Sequence, residues 1–512
     1  MEDLAQAQFF APSTTSPIQY LLKDYAKELT ALERVADFMG ADEAKGTLKY
    51  FEKGENINGK YAPKWIFNVN NAKPALNAKY WQKAINVTDV LDFMPDKRRN
   101  EWNDSISNLK TPDFDSDTVH QTLKELMNQR MDFLAEMVDG IFTGLSGEHV
   151  TNRPEAFCKR MILADVCCEY SSYGHRQAGL IHDMRCVIAK FMGRDEKPPF
   201  NSTRTIINTC KSDTGAWFNI DGNAFRMRVY KKGTAHIEIN QEIAYRLNQI
   251  LAYLHPMAIA APHKKRPNKK PPKDFAMIDR PLPFEVLDSL ANLEICGGVV
   301  KRRRTVIDDK HIKNEVNEIL EVIGGVRSKD EYDFKYDPRE VINHIVTSGV
   351  IPDKKTHQFY PTNANLAEKL VAIADIDEHH LVLEPSAGQG SILECLPCFY
   401  ENITAIEASS LHCEIIRKKD LASDVICGDF LEFKSGMFDR IVMNPPFSQG
   451  RANLHVEHAI SLLKEGGKLA AILPASHVGY EFTGAKSTMW HGTYENEFAG
   501  TSVKVAIVEI TK

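Results

Sequence analysis

Residues 380–393, HLVLEPSAGQGSIL, decide the fold. Apolar residues at 381–383 make a short strand. Glu384-Pro385-Ser386-Ala387-Gly388-Gln389-Gly390 then breaks it with a proline and two glycines ahead of a short helix. Gly388 and Gly390 lack the Cβ atoms that would keep a ligand off the backbone, and the helix start offers N–H groups to an anion. A loop that wraps a diphosphate would carry Gly-x-Gly-x-x-Gly or a Lys-Ser/Thr pair, and neither is present.

Downstream, the strand signal recurs at the spacing of a doubly wound sheet. Strands are expected at 403–406, ending on Glu407, at 425–427, ending on Gly428-Asp429-Phe430, and at 440–443. The last stops on Asn444-Pro445-Pro446-Phe447. Proline cannot donate to a ladder and biases its predecessor away from helix, so Asn444 must lie where strand becomes loop, at the edge where open α/β sheets bind ligands. The Asn444 side chain and the Pro445 carbonyl are two acceptors, and Phe447 offers a flat face. Together they describe a site for an exocyclic amine. A helix at 455–463, a Gly466-Gly467 turn, a strand at 468–473 and a last strand at 501–510 complete the repeat. Upstream, a helix is expected at 338–348. Phe359-Tyr360-Pro361-Thr362 then forms a turn before an amphipathic helix, with Asn363 or Asn365 at the cap.

Residues 384–390 closely resemble motif I of the DNA adenine methyltransferases that use S-adenosylmethionine (AdoMet). Residues 444–447 resemble motif IV of the amino-methyltransferases, and FYPTNANLAEKLV (359–371) resembles their motif X. The resemblance implies an α/β fold: a class I, Rossmann-like methyltransferase sheet at the C-terminus behind a mostly helical α+β region. It implies AdoMet as cofactor. Phe359, Tyr360, Pro361 and Thr362 would lie against its methionine part, Glu384, Pro385, Ser386, Ala387, Gly388 and Gly390 would form the loop around it, and Glu407 would accept from the ribose hydroxyls. Asp429 would accept from its adenine amine, Phe430 would cover that ring, and Asn444 would close the pocket. Asn444, Pro445, Pro446 and Phe447 become the catalytic group, acting on the N6 amine of adenine in DNA. Such a base is reached only when flipped or unpaired. Other substrates for the same machinery are an RNA base or a protein glutamine, although glutamine enzymes usually have Tyr where Phe447 stands. A reading of another class is a non-catalytic nucleic-acid-binding or anti-restriction factor on the same fold.

The chain is long enough for two to four domains. No apolar run approaches a membrane span and the start, Met1-Glu2-Asp3, is acidic, so a soluble cytoplasmic protein is expected. The ten cysteines lack a paired framework, and Cys395-Leu-Pro-Cys398 lacks a second pair, so no metal site is expected. Net charge is −6, unevenly spread: residues 351–512 hold 14 Lys and Arg against 21 Asp and Glu, and the first 350 are close to neutral. If DNA is the partner, the front of the chain supplies much of the phosphate contact. Candidates are Lys264, Lys265, Arg266, Lys269 and Lys270 in a proline-rich stretch, and Arg302, Arg303 and Arg304.

The expected organisation is a mixed, mainly helical region at 1–113, an α+β domain at 114–262, a basic proline-rich linker at 263–280, a small helical basic segment at 281–345 and the methyltransferase domain at 346–512. Within these, helices are expected at 18–39 and 76–94, with loops at 54–63 and at Lys97-Arg98-Arg99. One long amphipathic helix is expected over 116–145. Further helices follow at 154–170 and 177–192, a three-stranded meander at 217–239, and a helix at 241–254. His175, His182 and Asp183 read as surface or core polar residues, not metal ligands. DGNAFRMRVYKKGTAHIEI with the following LNQIL resembles a domain of unknown function that accompanies phage and plasmid methyltransferases, over about residues 115–260. The resemblance suggests a phage or mobile element. The chain stops directly after its last strand, and only about 23 residues separate Pro474 from Phe498, enough for a short substrate loop. Any sequence reading then comes from residues 1–340 or from a partner, or is weak, and low or relaxed specificity is expected.

Overall fold

The computed structural model describes residues 16–512, apart from 45, 48–49, 51–66, 88–93, 146, 148–150, 153–155, 168–175, 195–196, 256–278, 303–308, 330, 354–360, 448–449 and 496–502. The chain forms two compact units, Met1–Pro198 with Arg228–Asn268, and Pro199–Met227 with Lys269–Lys512.

In the first unit, helices Ser16–Gly40 and Val69–Val87 pack together around Tyr25, Tyr80, Trp81 and Phe114. The polar atoms of these rings are satisfied: Tyr25 Oη donates to Asn77 at 2.6 Å and Trp81 Nε1 to the Pro112 carbonyl at 2.8 Å. The expected loop at 54–63 and the residue His175 lie outside the described residues.

Three expectations in this unit are corrected. Lys97-Arg98-Arg99 is not a loop but the first turn of helix Asp96–Ser107, which follows Pro95. Arg99 turns inward, donating to the buried Asp183 at 3.0 Å and to the Met94 carbonyl at 2.9 Å. The long helix is two, Ser116–Asn128 and Arg130–Thr143, separated at Gln129, whose ψ of 2° departs from helix. The halves serve different neighbours. Val119 and Leu123 join the Tyr25–Phe114 cluster, whereas the second half packs on helices Arg176–Phe191 and Gln241–Leu254. Finally, the expected helix at 154–170 contains a strand, Arg160–Leu163, antiparallel to Ala235–Ile239. Met161, Ile162 and Leu163 are all buried, and so short an apolar run has no period that separates strand from helix. The Asn152 amide satisfies the outer edge of this strand, exchanging two 2.8 Å bonds with Ile162.

Strands Phe218–Ile220 and Phe225–Val229 begin the meander. Their turn, Asp221-Gly222-Asn223, has φ of 48°, 76° and 62°. It is seated on the C-terminus of helix Arg339–Ser348, where Gly222 N donates to the Ser348 carbonyl at 2.6 Å. Gly349 is required here, because its φ is +69° and a Cβ would meet Asp221 Cα at 3.0 Å. The segment at 281–345 has helices Phe284–Ala291 and Lys310–Val322 but is not wholly helical. Four three-residue strands, Glu294–Cys296, Val299–Lys301, Val326–Ser328 and Glu331–Asp333, make an antiparallel sheet.

The C-terminal sheet has seven strands: β1 Val382–Glu384, β2 Ile403–Glu407, β3 Asp424–Cys427, β4 Phe438–Met443, β5 Leu463–Pro474, β6 Ser487–Tyr494 and β7 Val505–Thr511. Their order is β3-β2-β1-β4-β5-β7-β6; β7 is antiparallel to both β5 and β6, and every other neighbouring pair is parallel. This is the class I methyltransferase sheet expected from the sequence. Helix α1, Ala364–Ala374, is capped by Asn363, whose Oδ1 accepts from Leu366 N at 2.9 Å. It covers Val382, Val442, Ala470, Ile472 and Ile507. Helix α2, Ser410–Lys419, is capped by Ser409 and covers Ile403 and Ala405. Helix α3, Arg451–Ser461, covers the opposite face, Leu383, Ile441, Met443, Leu469 and Ala471. Alternate strand residues are thus buried on opposite faces.

Four details differ from expectation. The Gly466-Gly467 turn is absorbed into β5 as an irregularity, where pairing with β4 jumps from Phe438↔Leu463 to Arg440↔Lys468. The helix begins at Arg451, earlier than residue 455. The segment after Gly390 is a 3-10 turn, Leu393–Cys395. The supposed substrate loop after Pro474 contains β6, which pairs along β7 and gives that strand a partner on its outer side.

The Arg99–Asp183 pair yields the first expected outcome. Both side chains are at most 10% exposed, so Asp183→Ala strands a buried guanidinium and should cost about 3–5 kcal/mol in urea unfolding of the full chain. Glu28→Ala, which breaks the exposed 2.7 Å pair with Lys79, should cost less than about 1 kcal/mol.

Candidate active site

Strand order reverses between β1 and β4, so the loops leaving their C-terminal ends diverge and leave a crevice. Glu384 to Gly390 leave β1 at one wall, and Asn444 to Phe447 leave β4 at the other. The first loop is held by backbone bonds from Ala387 N to the Ile406 carbonyl, 3.1 Å, and from Gly390 N to the Ala387 carbonyl, 2.8 Å. Gly388 has φ of +55° and its N–H donates to Glu407 Oε2 at 2.8 Å; Ser409 N donates to Glu407 Oε1 at 2.8 Å. Glu407 therefore ties the end of β2 to the β1 loop, and each oxygen keeps a further lone pair for a ligand. The reason for Gly390 is partly internal: with φ of +87°, a Cβ there would also meet Leu421 Cδ1 at 2.4 Å.

Glu384 is 1% exposed, and its Oε2 is buried without a hydrogen-bond partner among the described residues. Burial, with the Glu407 carboxylate adding to it, raises its pKa well above the usual carboxylate range, against one backbone N–H from Leu393. Asp429 behaves oppositely. Burial pushes it up, but the Leu431 N–H at 3.1 Å and Arg451 outweigh this and hold it below the usual range. Arg451 Nη2 lies 3.2 and 3.1 Å from the two Asp429 oxygens.

Asn444 is half-buried and Pro445 buried. Asn444 Nδ2 donates to Thr362 Oγ1 at 3.1 Å across 82 residues of sequence, which turns Oδ1 away from Thr362. Pro361 is exposed beside it, whereas Phe359 and Tyr360 lie outside the described residues. Phe447 is half-buried against the α1 cluster that also includes Tyr494. Pro385 and Ala387 are buried and Ser386 is half-buried. Phe430, expected to cover a ring, is itself only 2% exposed, packed edge-on against His455 and His458.

Arg451 and His455 were not singled out in the sequence. They stand four apart at the start of α3, close behind Phe447, so a helix following the Asn-Pro-Pro-Phe turn was the available signal. His455 Nδ1 is 3.5 Å from Ser386 Oγ, and its Nε2 is buried with no partner among the described residues. Burial, then the Arg451 charge, lowers its pKa to about 4, so it is neutral at neutral pH. Of the nucleic-acid candidates, Lys264, Lys265, Arg266, Lys269, Lys270, Arg303 and Arg304 lie outside the described residues, and Arg302 is half-buried. Cys395 and Cys398 are half-buried free thiols, and among the described residues no group of three or more His, Cys, Asp or Glu could hold a metal. No helix among them is long and apolar enough to cross a membrane.

The buried Glu384 has a measurable consequence. An unfolded glutamate releases its proton near 4.5, whereas folded Glu384 keeps it to higher pH, so its presence costs stability increasingly as pH rises above 4.5. Glu384→Gln mimics the protonated form. Its melting temperature without cofactor should exceed the parent's by about 2–4 °C at pH 8, and the difference should shrink towards pH 4.

Residues 74–256 match the model of a domain of unknown function, DUF4942, and residues 391–491 match the methyltransferase small domain. The modification methylase CviBIII of Paramecium bursaria Chlorella virus NC1A is 33% identical over 149 residues, 24% of this chain and 40% of that protein. The chain thus spans less than half the length of this curated relative. Among solved structures, a dimethyladenosine transferase from Plasmodium falciparum is 18% identical, with 30% of this chain and 63% of that chain covered and a TM-score of 0.26. TrmN from Thermus thermophilus is 17% identical, covering 41% and 70%, with a TM-score of 0.24. Neither likeness bears on substrate; the sheet order and the matched family model bear on fold. The C-terminal part of the chain therefore has the class I methyltransferase fold, part of it matching the methyltransferase small domain, and residues 74–256 match DUF4942.

Proposed function

We propose that this protein transfers a methyl group from AdoMet to the N6 amine of adenine in DNA. The observation that carries the reading is the position of Asn444-Pro445-Pro446-Phe447 at the end of β4, directly across the strand-order reversal from the Glu384–Gly390 loop. The partial likeness to a modification methylase supports DNA as the substrate.

The residues present fit AdoMet. The buried, unpartnered Glu384 Oε2 suits a cation, Glu407 retains acceptor capacity for a ribose diol, and Asp429 lies at the end of β3 where an adenine amine would be met. Pro361, Thr362, Pro385, Ser386, Ala387 and Gly388 would line the methionine side, with Phe430 behind the adenine. When bound, AdoMet supplies a methyl group on a sulfonium that departs as a neutral thioether.

The protein's contribution is geometric. Asn444 Oδ1 and the Pro445 carbonyl accept the two amine hydrogens, favouring a pyramidal nitrogen whose lone pair faces the donor. Thr362, by accepting from Asn444 Nδ2, keeps the acceptor end of the amide facing the target. Phe447 clamps the base. No strong general base is needed, because the nitrogen loses its proton during or after attack. The target base must be flipped or unpaired to reach Asn444. The acidic balance of residues 351–512 leaves most phosphate contact to the front of the chain, which we propose guides DNA binding with relaxed sequence specificity.

The test is transfer of labelled methyl from AdoMet to unmethylated DNA, RNA and protein in parallel. Label should appear as 6-methyladenine in DNA and vanish with Asn444→Ala. Thr362→Val should lower kcat roughly 10- to 100-fold, and Thr362→Ser should restore most of it. Label confined to RNA or protein would overturn the substrate. Binding of AdoMet and DNA without transfer would overturn catalysis.

A further inference from the structure

The β2 and β3 ends carry two thiols that the proposed chemistry does not use. Cys427 is the last residue of β3, two before Asp429, and is paired in register with Glu407 of β2. Cys413, on the first turn of α2, is fully buried and donates its S–H to the Glu407 carbonyl at 3.3 Å. Cys413 is thus held at the backbone of the residue that pairs with Cys427 across the ladder. Two thiols on different elements thus converge on Glu407, one at its carbonyl and one opposite it in the ladder, two residues before Asp429. They differ in access: Cys413 is buried, whereas Cys427 is exposed.

We propose that Cys413 and Cys427 form a reversible redox site, in which a peroxide or a small disulfide joins them and so reshapes the crevice between Glu407 and Asp429. The asymmetry suits the two roles. The hydrogen bond from Cys413, outweighing burial, lowers the Cys427 pKa to about 7, so an exposed thiolate is available at neutral pH. The same contact, with burial, raises Cys413, which stays protonated until it is needed.

With hydrogen peroxide, the Cys427 thiolate attacks one oxygen. An S–O bond forms, the O–O bond breaks, and hydroxide leaves and is protonated to water. Cys413 sulfur then attacks the sulfenic sulfur. The S–S bond forms, the S–O bond breaks, and the departing hydroxide takes the Cys413 proton as a second water. Both thiols together lose two electrons and two protons, and the peroxide is reduced to two waters. A dithiol reductant reverses the bond. Closure to the roughly 2.05 Å of a disulfide pulls the α2 start towards the end of β3. Oxidation also removes the S–H that Cys413 donates to the Glu407 carbonyl, so the residue whose carboxylate holds the Gly388 loop loses a hydrogen bond.

The effect on ligand binding rests on the reading of this crevice as an AdoMet site, whereas the covalent step does not. The full chain is treated with hydrogen peroxide or oxidised glutathione at pH 7.5 and digested, and its peptides are mapped. The expected product is a linked 413–427 peptide pair lighter by two hydrogens, absent in Cys413→Ala and in Cys427→Ser and reversed by dithiothreitol. Binding of S-adenosylhomocysteine to the oxidised chain should weaken about ten-fold and recover on reduction. Stable oxidation or glutathionylation of Cys427 without the link would overturn the proposal, as would a linked pair with unchanged affinity. If the reduced chain binds no S-adenosylhomocysteine while the link forms, the cofactor reading fails and the redox site stands.

Discussion

The chain above β1 turns onto the face covered by α1 and α2, and the chain above β4 turns onto the face covered by α3. Two adjacent parallel strands that send their continuations to opposite faces cannot close over one another, and this divergence is the constraint on which the site depends. Everything at the crevice is arranged around the resulting gap. Prolines after Glu384 and Asn444 end the two strands without leaving an unpaired N–H, and Glu407 and Thr362 brace the opposite walls from outside.

Three carboxyl groups gather at this edge, and each is accommodated differently. Glu384 is sealed from water and favours its neutral form. Glu407 accepts two backbone N–H groups at 2.8 Å. Asp429 is held by the Arg451 guanidinium. Three unshielded carboxylates would repel one another in a partly dry cleft. A proton, the peptide backbone and an arginine from the helix behind the Asn444–Phe447 turn divide that burden. An incoming cation therefore meets a site whose negative charge is latent at Glu384 and committed to an arginine at Asp429.

Most of the sheet was legible because its strands are short, apolar and punctuated by Gly, Pro and Asn at their C-terminal ends. The motif positions survive errors of one or two residues in strand ends. Harder were elements whose identity depends on a distant partner. Arg160–Leu163 is a strand because Ala235–Ile239 and Asn152 satisfy its edges, and nothing in four residues announces that. Ser487–Tyr494 is an edge strand with polar residues on its open side and Gly492 within it, so its local pattern read as loop. Gln129 interrupts a helical period that is continuous in sequence, because the two halves pack on different neighbours. At the site, the acceptors and the glycines were readable. Arg451 and His455 were not, since their roles come from where α3 returns to the sheet.

The seating of the Asp221–Asn223 turn on residues 347 and 348 bears on how the chain is made. This turn and helix Phe200–Ser212, with Ile206, Ile207 and Cys210 fully buried, belong to the unit completed by Lys269–Lys512. Thr347 leaves the ribosome 126 residues after Asp221, an interval of about 6–25 s at ordinary elongation rates. Through that interval, flanking segments of the other unit are already synthesised while an apolar helix waits for its binding surface. The interleaving means that no single cut in the chain yields both units whole.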